Sequence, residues 1–406
     1  MSDFYARQII EALRSGVPSR AVGEYFSEAR PEMRKRITAR LEKVRETGVS
    51  DGMIYTGRYG EGKTHLLQSV FGLASTSNMV VSYVSLGKET PLNRPELLYG
   101  RLISNTFLPG ARQPGFMAKL SEALTPGSGL TGELLAYSAK ELETDRLYYA
   151  LTGMVNTGEE EDRAILTADL EGDFTTDAVI KRIYRNVTGK PAKLQQRFSK
   201  RKHVYDYFRF MSRAFRALGY DGWVLLFDEL ELIGRLGKKA RAKAYAEMQR
   251  FLGAGLQSEA VFSLFALSSS YVEDVIEKKH DRQNAEEIYA QDEPMLRAAM
   301  QSIEDIVRAP ELTPLKQDEI AGVLLKIQEF HGKAYDWTPQ ISTDTMMKEI
   351  SGSGYLLRTR IRAAIEFLDQ LYLYGSAGET RITELGTESY DEDTPDLSDV
   401  DLEDPE

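Results

Sequence analysis

The chain contains no cysteine. Disulfides, thiolate zinc sites and cysteine nucleophiles are thereby excluded together. Histidine is scarce as well, and His65, His203, His280 and His331 stand too far apart in sequence for a metal-ligand spacing. No basic, apolar leader opens the sequence and no apolar run approaches membrane-spanning length, so the expectation is a soluble, cytoplasmic protein without a membrane partner. Basic residues are absent from one stretch in particular. Ten of the 62 acids fall within 388–406, beside no lysine or arginine, and without them the remaining acids nearly match the 51 bases. The formal charge of −11 therefore belongs to a tail, not to the body, and nucleic acid is not excluded as a partner. With Pro395, Pro405 and little apolar content, 379–406 reads as a disordered segment that either screens a basic surface or simply solvates the chain.

What remains is rich enough to fold. At 406 residues and 42% apolar composition, a substantial core in two or three units is expected. Gly57-Arg58-Tyr59-Gly60-Glu61-Gly62-Lys63-Thr64 is a complete G-x-x-x-x-G-K-[ST] phosphate loop, followed by His65. Glycines at 57, 60 and 62 are expected to take dihedrals closed to residues with a Cβ, which lets successive backbone N–H groups face triphosphate oxygens. Lys63 adds positive charge near the β and γ phosphates, and Thr64 offers a hydroxyl to Mg²⁺ at the start of a helix. The apolar run 53–56 before the loop reads as a buried strand, and 65–71 after it as that helix.

Trp223-Val224-Leu225-Leu226-Phe227-Asp228-Glu229 supplies the second half of such a site, an unbroken apolar run ending in two acids. In this Walker B pattern Asp228 would hold magnesium and Glu229 would act as general base on the attacking water. A third apolar run, 261–267, leads into Ser268-Ser269-Ser270, where Ser268 is preferred over Ser269 as a polar group near the γ phosphate; a plain serine turn is the alternative.

The order of strand, G-R-Y-G-E-G-K-T-H, long helical stretch, L-L-F-D-E-L-E, third strand and C-terminal helices resembles AAA+ ATPases of the origin-recognition initiator group. More closely, residues 5–375 resemble the ATP-binding protein family of BREX and related phage-defence loci, with 7–18 and 310–315 as supporting segments. The resemblance implies an α/β fold: a P-loop AAA+ core with a parallel sheet flanked by helices, and a helical lid. It implies ATP and Mg²⁺ as cofactors, hydrolysis, a homo-oligomeric ring or partial ring, and an Lhr-like helicase as possible partner. It further implies a sensor at Ser268, a lid arginine at Arg358 (ahead of Arg360 and Arg362), and an arginine finger at Arg297 or, second, Arg282. For each arginine an exposed, solubilising role is the alternative.

The expected organisation is an N-terminal helical segment 1–50, a core 51–310 interrupted by a helical insertion at 92–215, a lid 311–378 and the tail 379–406; the resemblance implies that 1–50 covers the nucleotide site, with plain helical packing on the core as the alternative. Two helices are expected in the first segment, one with Ile9, Ile10 and Leu13 on a face, one with Met33, Ile37, Leu41 and Val44 and an end at Gly48. No repeat is evident. Two basic clusters, Lys193/Arg197/Lys200/Arg201/Lys202 and Arg235/Lys238/Lys239/Arg241/Lys243, are candidates for DNA contact, with a solvated face balanced by Glu247 as the alternative. An enzyme that couples ATP hydrolysis to DNA or a helicase is one reading. A slow nucleotide switch that recruits an effector is the second, and an ATP-binding adaptor without turnover, against which Glu229 argues, is the third.

Overall fold

Four apolar segments become parallel strands because helices cover them from both sides. The computed structural model describes residues 3–15, 22, 23, 26, 30–351 and 356–377; the acidic stretch 388–406, the turn 16–20 and Gly354-Tyr355 lie outside the described residues. The parallel strands are β1 (Asp51–Gly57), β2 (Val80–Ser85), β4 (Trp223–Asp228) and β5 (Val261–Ser268). Every residue of β4 and β5 is buried, as near-continuous apolar sequence requires in a sheet with two covered faces.

The sheet runs β1-β5-β4-β2-β3, and here the expectation of a wholly parallel sheet needs correction. β3 (Thr106–Phe107) pairs antiparallel with β2 inside the segment expected to be helical. Two residues are too short to show an alternating pattern. Thr106 Oγ1 lies 2.6 Å from Ser82 Oγ, and this short pairing covers the edge that β2 would otherwise expose. The opposite edge is covered too: Thr56 N donates to Pro310 O (3.0 Å) and Leu312 N to Thr56 O (2.7 Å).

One face carries α2 (Pro31–Thr47) and α3 (Lys63–Thr76), whose Ile37, Leu41, Leu66 and Val70 pack with Met53, Tyr55, Leu226 and Leu264. Helix α2 ends where expected, with Gly48 in the left-handed region at φ 70° and its N–H bonded to Val44 O. Between β2 and β4 lie α4 (Pro95–Ser104), α5 (Met117–Ala123), α6 (Gly129–Lys140), α7 (Arg146–Asn156), α8 (Glu160–Ala168), α9 (Asp177–Thr188) and α10 (Lys200–Ala217). Their core continues into the second face of the sheet, where α10, α11 (Lys238–Phe251) and α13 (Glu293–Val307) pack through Phe208, Phe215, Phe251 and Ile303, while α12 (Asp281–Ile288) flanks α11 and α13. Arg146, buried in this insertion, bonds Asp169 (2.6 Å), the Tyr207 hydroxyl (2.9 Å) and Asp177, so its charge is paired rather than stranded.

The third core belongs to α14 (Gln317–Tyr335), α15 (Thr343–Glu349) and α16 (Leu357–Tyr374), joined by α1 (Asp3–Ser15) from the other end of the chain. Ile9, Ile10 and Leu13 pack there with Leu324, Ile327, Ala364 and Leu368. Arg14 reaches Asp369 (2.8 Å), which also lies 2.9 Å from His331 Nε2. The first fifty residues therefore divide: α1 joins the C-terminal helices, whereas α2 packs on the sheet.

Candidate active site

Strand register brings four carboxyl ends to one edge. Gly57 pairs with Ser268 and Ser85 with Asp228, while Phe227 pairs with Phe265, so β1 and β5 end two residues beyond β4 and β2 on the side where parallel sheets bind ligands.

The loop between β1 and α3 is shaped by two glycines. Gly60 (φ 78°) and Gly62 (φ 91°) are left-handed, a conformation that a Cβ would strain. Gly57 differs from expectation. It continues the strand, and its requirement is space: an added Cβ would lie 3.2 Å from Leu312 Cβ and 3.3 Å from Lys63 Cγ. Buried Tyr55 donates to Lys63 O (2.6 Å), which fastens strand to helix across the loop. No side chain caps α3, so its first N–H groups stay available at a positive helix end.

Tyr59, Gly60, Gly62, Lys63, Thr64 and His65 line a cavity of about 370 Å³; Gly57, Arg58 and Glu61 do not. Arg58 is exposed and its carbonyl accepts from Glu61 N (3.2 Å). Glu61 turns inward to Arg30, whose guanidinium donates to its carbonyl (2.6 Å) and carboxylate (3.2 Å) and to Thr313 O. His65 Nε2 lies 3.1 Å from Phe26 O, and burial presses its pKa below the usual histidine value of 6.5.

Asp228 and Glu229 line the same cavity in contrasting settings. Buried Asp228 accepts from the Tyr83 hydroxyl at Oδ2 (2.8 Å) and from Glu229 N at Oδ1 (2.9 Å). Glu229 is exposed, sits at φ 56° and accepts a hydrogen bond from Ser85 Oγ. A left-handed glutamate is uncommon, and here it turns the chain from β4 directly into the helical turn Leu230–Arg235.

Glu231 is a residue that sequence reasoning passed over. Its carboxylate lies 3.6 Å from Lys63 Nζ and accepts from Ser268 N (3.1 Å), while Lys63 Nζ also donates to Gly57 O (3.2 Å). Burial pushes its pKa up and Lys63 pulls it down. The third acid of D-E-L-E was the available signal. Ser268 thus meets this network through its backbone; its hydroxyl lies 3.3 Å from Ser270 Oγ, and Ser268 is not on the cavity wall. Tyr83 was also passed over, since one tyrosine in an alternating strand carries no motif.

The cavity has a polar wall (Lys63, Thr64, Asp228, Glu229, Glu231) and an apolar one (Leu13, Val22, Phe26, Val323, Leu357, Ile361). Arg358 stands at its rim: its N–H donates to Gly60 O (3.1 Å) and its guanidinium to the Tyr59 hydroxyl (3.1 Å). Arg297 does not line the cavity; it is exposed on α13 and bonded to Glu293 (2.6 Å). Arg282 pairs with Glu304.

These residues fit a magnesium nucleotide. The buried lysine, the uncapped helix start and the left-handed glycines suit an anionic chain, and the apolar wall suits a base. Among the described residues no group of three histidines or carboxylates could cage a metal, so Thr64 and Asp228 would share Mg²⁺ with phosphate oxygens and water.

The basic clusters need one correction. Arg241 is buried and bonded to Asp281 (2.9 and 3.0 Å) and Leu236 O; it holds α11 to α12 and is unavailable to DNA. Glu247 is likewise buried, bonded to Tyr205 and 3.3 Å from Arg250, so it balances no solvated face. Lys238 pairs with Glu287, Lys202 with Glu143 and Arg201 with Glu96, whereas Lys193, Arg197 and Lys200 are exposed. No described helix is long and apolar enough to cross a membrane.

A search of curated proteins finds no match. A family model described as BREX system ATP-binding protein BrxC/D matches residues 2–122 and 146–378, omitting α6 and its flanks. With the phosphate loop, β2, β4, β5 and the C-terminal helices all inside those bounds, the chain belongs to the BREX system ATP-binding protein family BrxC/D.

Proposed function

We propose that this protein binds ATP with Mg²⁺ at the loop 57–64 and hydrolyses it in the service of phage defence. The observation that carries the reading is the meeting of Lys63, Thr64, Asp228 and Glu229 on the wall of one cavity, from segments far apart in the chain. Bound ATP supplies the phosphoanhydride bond and Mg²⁺ the charge that neutralises it. Lys63 and the amides of α3 bind the phosphates, Thr64 and Asp228 orient the metal, and Glu229 takes a proton from water. Family membership supports ATP as the nucleotide.

In the fuller form of this proposal, 51–310 is an AAA+ core with its insertion at 92–215, and 311–378 with α1 is a lid over the base. Ser268, between β1 and β4, acts as sensor; Arg358 swings from Tyr59 to the γ phosphate. Arg297, exposed on α13, serves as finger in the site of a neighbouring copy. The exposed part of the first basic cluster tracks DNA, alone or beside an Lhr-like helicase, in the cytoplasm. A second reading, the slow switch, is supported by the Ser85 hydrogen bond to Glu229, which occupies the base.

The test is a pair of variants in an ATP-binding and phosphate-release assay. Lys63→Ala is expected to lose ATP binding, while Glu229→Gln keeps it and loses turnover by orders of magnitude. Unchanged turnover in Glu229→Gln would reject the base. Wild-type turnover indifferent to DNA and to a helicase partner favours the switch.

A further inference from the structure

The hydroxyl of Tyr83 lies between the two segments that would share the metal. Tyr83 stands on β2 two residues before Ser85, and its hydroxyl donates to Asp228 Oδ2 at 2.8 Å. The buried side chain of Gln68 neighbours the same hydroxyl. Gln68 sits one helical turn after Thr64, on the same side of α3. Gln68, Tyr83 and Asp228 thus stand in series from the helix of one candidate metal ligand to the strand of the other.

Asp228 gains a fixed orientation from this contact. Oδ1 is held by the Glu229 N–H (2.9 Å) and Oδ2 by Tyr83, so rotation about its carboxylate bond would break both, and each oxygen keeps a lone pair for the cavity. Gln68 is itself constrained. Gly23 packs against it, since a Cβ there would come within 2.5 Å of Gln68 Cβ.

We infer that Tyr83 is a positioning residue that presets Asp228 for the magnesium of the bound nucleotide, with Gln68 as its support. Groups that orient metal-binding side chains commonly alter metal affinity by about 10–100-fold when removed. This inference rests on the ATP–Mg²⁺ reading of the site and adds to it the residue that sets the strength of metal coupling.

The experiment measures binding of a fluorescent ATP analogue to the full chain in EDTA and across a Mg²⁺ titration, with Mn²⁺ electron paramagnetic resonance as a direct readout of the metal. Tyr83→Phe keeps the ring and removes the hydroxyl. Expected are metal-free affinity within about twofold of wild type, a half-saturating Mg²⁺ concentration raised about 10-fold, and a changed Mn²⁺ signal. Gln68→Leu, which leaves Tyr83 in place, shifts the Mg²⁺ requirement in the same direction by less. Wild-type binding indifferent to Mg²⁺ would overturn the parent reading of the site. Wild-type Mg²⁺ coupling that survives unchanged in both variants, or an equal loss of affinity with and without metal in Tyr83→Phe, overturns the positioning role alone.

Discussion

Arg30 and Glu61 form an ion pair whose removal tests how the phosphate loop is held. Arg30 precedes α2 at φ 61°, and its side chain is only 9% exposed, that of Glu61 only 5%. Besides the two contacts to Glu61, Arg30 donates to Thr313 O, and its backbone N–H to Glu319 at the start of α14 (3.3 Å). One residue therefore ties the loop, through its side chain, to the segment before α14 and, through its backbone, to α14 itself. Arg30→Ala leaves a buried carboxylate without its partner, a change that costs about 3–5 kcal/mol. If about 3 kcal/mol of this falls on the loop, the binding-competent fraction drops and the apparent Kd for ATP rises about 100-fold. Glu61→Ala strands the guanidinium and should weaken binding by a similar factor. In Arg30→Ala/Glu61→Ala neither charge is stranded, and affinity should recover to within about 10-fold of wild type, a coupling energy of about 4 kcal/mol. Calorimetric titration of ATP into the four proteins gives this cycle, with thermal unfolding confirming that each is folded. Single effects that simply add, with coupling below about 0.5 kcal/mol, would refute the idea that the loop is organised by this pair.

Burial lowers the pKa of His65, so below pH 6.5 the unfolded chain binds more protons there than the folded one. Its contribution to stability is complete above pH 6.5 and declines as the pH falls through the depressed folded value; His65→Gln should flatten that decline in denaturant midpoints, and an unchanged pH profile would exclude His65 as its source. Ser85→Ala frees Glu229 from its hydrogen bond, and single-turnover hydrolysis should quicken several-fold; a slower or equal rate means the bond does not restrain the base. Mixing Arg297→Ala with Lys63→Ala subunits should restore part of the ATPase activity if a finger crosses between copies, whereas uniform inactivity removes Arg297 from that role. Replacing exposed Lys193, Arg197 and Lys200 by alanine should weaken DNA binding and lower its salt slope by up to about 3; unchanged binding would exclude this patch.

Much of the site was legible because its chemistry is written in contiguous residues. The loop 57–64 needs glycines, a lysine and a threonine at fixed spacing, and β4 declares itself by an apolar run that stops at Asp228. The same locality explains the limits. Glycine at 60 and 62 answers to backbone dihedral, which adjacent residues reveal; glycine at 57 answers to Leu312, which only folding brings near. Arg241 reads as one more base in a cluster until Asp281 and Tyr245 surround it.

Sequence alone determined the four parallel strands and the helix after the loop, and where the candidate phosphate motif lies, since periodicity and motif spacing are properties of neighbours along the chain; the two-residue β3 escaped it. Tertiary structure decided the pairing of Lys63 with Glu231, the hold of Tyr83 on Asp228, the tether from Arg30 to Glu61 and the transfer of α1 to the C-terminal helices. Each of these joins groups from distant segments, where burial makes the partner of a charge matter more than the charge itself.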